Sequence, residues 1–128
     1  MKSNTVPLRP RDGAIGASSD TIHIGSSLDV GNARTFGRAI ARMGDRKLRH
    51  VIIDMSKTRT VDSSGFGALI SGLKKLSEGG SKPLIVCSNA SVRRLMDFAG
   101  VARMFVIVDR NGDARQLMAR ESADVLAS

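Results

Sequence analysis

The chain has 128 residues, of which 41% are hydrophobic, 25% charged and only 3% aromatic, with neither Trp nor Tyr. That is the length of one domain, and its core must be aliphatic. The formal net charge of +8 raises nucleic acid or an anionic membrane surface as partners, but no aromatic residues interleave with the basic ones to stack bases. Nor does any recognition-helix or zinc-finger spacing appear.

Residues 1–12 read as a mobile N-terminal arm, because Pro7 and Pro10 interrupt any regular element. The segment has no apolar centre and so does not read as a signal peptide. The remaining residues, 13–128, read as one domain. "GAIGAS" carries a weak strand signal, and Thr21 to Leu28 alternates as a firmer strand. From Gly31 the period changes: Ala33, Phe36, Ala39, Ile40 and Met43 recur at helical spacing. Arg34, Arg38, Arg42 and Arg46 recur every four residues and predict a solvated basic stripe, continued by Lys47 and Arg49.

"HVIIDMS" is a short β-branched run that predicts a strand buried on both faces. Phe66, Leu69, Ile70, Leu73 and Leu76 mark a second helix, stopped by Gly79-Gly80. "KPLIVCS" is another buried strand, which makes Cys87 a small core hydrophobe; as the sole cysteine it excludes an intramolecular disulfide. Val92, Leu95, Met96 and Ala99 predict a third helix closed by Gly100, "MFVIV" a last strand, and Ala114, Leu117 and Met118 a final helix. Alternating strands and helices predict an α/β domain, a mostly parallel sheet covered by about four helices. No run approaches the roughly 18 apolar residues of a membrane span, so a soluble cytoplasmic protein is expected.

In such sheets functional groups collect where strands end and helices begin. "VDSSGFG", Val61 to Gly67, occupies such a junction. Its serines have three readings. Nucleophilic catalysis needs a base, yet His23 and His50 sit outside any triad motif, and D-S-S-G is not the G-x-S-x-G elbow. No His, Cys or carboxylate cluster has metal-ligand spacing either. Asp54 ends its strand much as a phosphate-accepting aspartate does, but the acidic pair and the lysine that such a site requires are missing. Capping is the second reading, since Asp62, Ser63 and Ser64 are all good N-cap residues and Gly65 permits a close backbone turn.

The third reading comes from a resemblance. "IGSSLDVGNARTF", "HVIIDMSKTRTVDSSGFGALI" and "VRRLMDFAGVARMFVIV" together resemble the STAS domain, specifically the stand-alone bacterial anti-sigma factor antagonists, over roughly residues 20 to 110. Ser26 stands where that family usually has glycine, and Phe66 where it often has leucine. The resemblance implies a non-enzymatic protein-binding switch without a cofactor of its own. Unphosphorylated, it binds a GHKL-type serine kinase that is also the anti-sigma factor; phosphorylation of Ser64 releases it and a PP2C-type phosphatase restores it. Asp62, Ser63, Gly65 and Phe66 form the surrounding partner-binding motif. STAS domains also serve as subunits docking on the ATPase of ABC-type lipid transporters, and that is the alternative expectation. A nucleic-acid-binding module is a more distant one.

Overall fold

β-Branched residues fill the centre of the sheet because a strand covered on both faces has no polar side to present. In the computed structural model, which describes residues 14–127, His50–Asp54 (β4) is that strand, and positions 50–53 are buried. Before it come Ile15–Ala17 (β1), Thr21–Ile24 (β2), Ser27–Leu28 (β3) and the helix Ala33–Asp45 (α1). After it come Thr60–Val61 (β5), Ser63–Glu78 (α2), Lys82–Val86 (β6), Ala90–Phe98 (α3), Val101–Met104 (α4), Val106–Val108 (β7) and Asn111–Ala127 (α5).

The main sheet runs β1-β2-β4-β6-β7, parallel except for the antiparallel edge pair β1–β2. Pro83 sits in β6 just before β7 begins to pair at Leu84, so its missing N–H costs little. β3 and β5 form a separate two-stranded parallel ladder, Ser27 opposite Thr60 and Leu28 opposite Val61.

Alternation along the strands separates two faces. Ile22, Ile24, Val51, Ile53 and Ile85 point to one face, where Phe36, Ile40, Leu69 and Leu73 of α1 and α2 complete an apolar cluster with Val92 and Met96 of α3. Ile52, Leu84 and Val86 point to the other, where Ala114 of α5 is buried and Leu117 and Met118 pack against them. Ion pairs fix α5 there. Glu121 takes His50 Nε2 at 2.7 Å and the Lys82 ammonium, and Arg115 forks onto the Asp20 carboxylate at 2.5 and 2.9 Å.

The predicted mostly parallel α/β architecture is present, with three local corrections. Thr21–Leu28 is two strands in two sheets: the chain leaves the main sheet at Gly25-Ser26, where buried Thr58 donates its hydroxyl to Gly25 O at 2.9 Å. Alternation carries on across the break, so the period alone does not reveal it. Gly100, at φ +80°, follows the C-cap Ala99 and closes α3 as expected, but it also opens α4, a fifth helix of one turn that takes Met104 out of the predicted last strand. The arginine stripe holds for Arg34, Arg38 and Arg42, whereas Arg46 lies beyond α1 and donates to Ser19 O. Cys87 is buried, and that burial pushes its thiol above the usual range. The expected N-terminal arm lies outside the described residues.

Candidate functional site

The D-S-S-G segment starts α2, and its first residue does two jobs. Asp62 is the N-cap, with extended backbone at φ −91° and ψ −179°. Its Oδ1 accepts from Gly65 N–H at 2.8 Å, and its Oδ2 accepts from Val30 N–H at 3.1 Å. One carboxylate thus satisfies an unpaired donor of the first helical turn and ties that turn to the loop after β3. The Asp62 N–H in turn donates to Leu28 O at 3.2 Å.

The partner loop is itself stitched. Asp29 Oδ2 accepts from Ser27 Oγ at 3.0 Å and Oδ1 from Gly31 N–H at 2.9 Å. Asn32 Oδ1 accepts from Asp29 N–H at 2.9 Å, while its amide donates to Ser27 O at 2.8 Å. Val30 is left at the crest, 76% exposed, a large apolar side chain next to the helix start.

Gly65 is buried for a steric reason. A Cβ there would lie 1.9 Å from Leu28 O and 2.4 Å from Leu28 C. The first turn of α2 therefore rests directly on the β3 backbone, an approach only glycine permits. Phe66 is half-buried and packs against the main core.

Asp62 alone does the capping, which frees the serines. Ser63 and Ser64 are the first two helical residues, both exposed, and neither side chain makes a hydrogen bond among the described residues. Their own N–H groups lie at the positive end of a 16-residue helix, where a negative charge is favoured. The same end of the sheet carries a cleft of about 600 Å³ lined by Ser26, Ser56, Lys57, Arg59, Ser88 and Asn89 among others, with two cations and no carboxylate.

The structure thus separates the motif residues chosen from sequence into two sets. Asp62, Ser63 and Ser64 are at the surface, while Gly65 and Phe66 turn inward and hold the surface in place. Asp29, Val30 and Asn32 were missed. The turn-forming run "LDVGN" was the available signal, but nothing in it indicates the partner 32 residues away. Asp54 keeps no free carboxylate for phosphate, because Oδ1 accepts from Ser56 N–H at 3.0 Å and Oδ2 faces His23 Nδ1 at 3.2 Å.

The chain can be set beside known proteins on this geometry. It is 26% identical over 69 residues to an anti-sigma F factor antagonist of Paenibacillus polymyxa, an alignment that covers 54% of this chain and 59% of that relative. An anti-sigma factor antagonist from Mycobacterium paratuberculosis has a similar crystal structure, with a TM-score of 0.70 at 18% identity over 80% of this chain and 89% of that one. The phosphorylated form of the Bacillus cell-fate determinant SpoIIAA is similar too, with a TM-score of 0.61 at 13% identity over 80% and 96%. Likeness at these identities establishes a shared fold. The STAS domain model matches residues 17–114, well over half of the sequence, and the chain belongs to the STAS domain family.

Proposed function

We propose that this protein is an anti-sigma factor antagonist that works as a phosphorylation-controlled binding switch with Ser64 as its modified residue. Unphosphorylated, it binds a GHKL-type serine kinase that doubles as the anti-sigma factor; the phosphorylated form lets go until a PP2C-type phosphatase removes the group. ATP and Mg²⁺ belong to the kinase, and the switch needs no catalysis by this chain. The setting is cytoplasmic, and no helix among the described residues is long and apolar enough to cross a membrane.

The observation that carries the reading is the division of labour at the start of α2. Asp62 holds the helix end, so Ser64 is exposed and has no structural bond to lose. A seryl phosphate adds about −1.5 to −2 charge at pH 7. At the second helical position that charge meets the macrodipole and free N–H groups rather than an apolar core. The fold tolerates it, while a docked partner meets a changed surface.

The test is capture of the native partner followed by phosphate mapping. A small ATP-binding kinase that places one phosphate on Ser64 supports the proposal. Capture of a transporter ATPase instead, or phosphate on Ser63 alone, contradicts it.

A further inference from the structure

On the α5 face, away from the α2 junction, three side chains stand in line, two of them five residues apart in sequence and the third 31 residues further on. Ser18 Oγ lies 3.3 Å from His23 Nε2, and His23 Nδ1 lies 3.2 Å from Asp54 Oδ2. Register explains the second contact, since His23 and Asp54 are direct partners across β2 and β4. The first arises because the β1–β2 turn brings Ser18 back over the same face as His23.

The chemistry of the contacts sets their direction. An ionised carboxylate only accepts, so in the neutral imidazole Nδ1 carries the hydrogen. Nε2 then holds the lone pair that faces the Ser18 hydroxyl. Asp54 cannot swing away, because its other oxygen is held by Ser56 N–H at 3.0 Å. The turn bearing Ser18 is fixed as well: Ser18 N–H donates to Thr21 O at 2.9 Å, Arg46 donates to Ser19 O, and Arg115 clamps Asp20. A nucleophile, a base and a group that orients the base, each held in place, are the parts of an activated serine.

Access is the other requirement, and it is met. Ser18 is exposed, and the His23 and Asp54 side chains keep 25% and 17% of their surface open. The Ser19 N–H, which follows the hydroxyl, makes no hydrogen bond among the described residues. In acyl transfer, the amide after the nucleophile is a common oxyanion donor.

We infer that Ser18 is a reactive hydroxyl that accepts an acyl group from activated acyl donors, with His23 as the base and Asp54 as the positioning residue. The class of donor is a small acyl ester, thioester or acyl phosphate, reached from open solvent. Ser18 Oγ bonds to the acyl carbon and its proton passes to His23 Nε2. The carbon's bond to the leaving oxygen or sulfur breaks, and that atom takes its charge and then the proton. The inference is independent of Ser64 and of the switch.

A fluorophosphonate probe tests it on the full chain, with the adduct mapped by mass spectrometry. The expected result is a phosphonyl group on Ser18, formed with loss of fluoride and far faster than on the exposed serines Ser63, Ser64 and Ser71 of the same chain. A positioned base contributes about 10²–10⁴ in rate, so His23→Ala should slow Ser18 labelling at least about a hundredfold, and added imidazole should restore part of it. Ser18 labelled no faster than Ser71, or equally fast without His23, would overturn the inference and leave the three side chains as a polar stitch between β2 and β4.

Discussion

The two faces of the sheet are held by different forces. On the α1–α2 side, Phe36, Ile40, Leu69, Leu73 and Leu76 bury against the isoleucines of β2, β4 and β6, a continuous apolar interior. On the α5 side the buried apolar set is Ile52, Leu84, Val86 and Ala114, and Glu121, Lys82, His50, Arg115 and Asp20 supply much of the attachment. Apolar burial is not sensitive to pH; carboxylate pairs are. One face should therefore yield to cavities and the other to acid.

The largest expected effect is on the apolar face. Phe36 is fully buried, so Phe36→Ala should cost about 3–5 kcal/mol, read as a lowered urea midpoint with little change in slope. A loss below about 1 kcal/mol would mean that α1 is not part of the cooperative core.

Next comes the contact that joins this face to the proposed switch. Gly65→Ala places a methyl 1.9 Å from the Leu28 carbonyl oxygen, and backbone cannot rotate aside as a side chain can. A cost of about 1–3 kcal/mol is expected, typical of overpacking. The Val30 and Asp62 amide resonances should also shift in NMR spectra, because the docked turn must move. Unchanged resonances would show that the close approach is dispensable.

On the α5 face the expected effect is smaller and depends on pH. The Lys82 and His50 contacts hold the Glu121 carboxyl below its ordinary range, and the Arg115 fork does the same for Asp20. A carboxyl depressed in the folded state contributes stability above its unfolded value of about 4 and loses it as pH falls through the lower folded value. Acid titration below about pH 4 should thus loosen α5 amides before those of α1 and α2. Glu121→Gln should remove part of that step at a cost of about 0.2–1 kcal/mol near neutrality. Simultaneous loss of both faces would contradict the division.

The smallest effect belongs to the proposed switch residue. Ser64→Ala removes no hydrogen bond, and its stability should stay within about 0.5 kcal/mol of wild type. A thermal melt showing a much larger loss would give Ser64 a structural duty.

The same contrast explains what could be read in advance. Period and composition located β4, α2 and β6 and made Phe36, Leu69 and Leu73 core, because apolar burial writes itself into local spacing. The split of Thr21–Leu28 stayed hidden, since its cause is a hydrogen bond from Thr58, 33 residues on. The α5 attachments, 39, 71 and 95 residues apart, leave no local mark either. At the site, the sequence placed the helix start but left three residues eligible as its cap, and the Asp62–Gly65 contact selects one. Likewise His23 lacked a triad pattern in sequence because Ser18 and Asp54 reach it only through strand register.

Calorimetry of the proposed partner kinase, purified and with nucleotide, against wild type, Ser64→Ala and Ser64→Asp tests the proposed switch most directly. In the proposed switch the kinase brings an ATP γ-phosphate to Ser64, so a fixed negative charge there would oppose the nucleotide or lose its water. Misplaced like charges cost several kcal/mol at interfaces, and about 1.4 kcal/mol is tenfold in affinity. Ser64→Asp should bind at least about tenfold more weakly, while Ser64→Ala binds as wild type does. Equal affinities for all three would contradict the switch and leave the junction as a capped helix start.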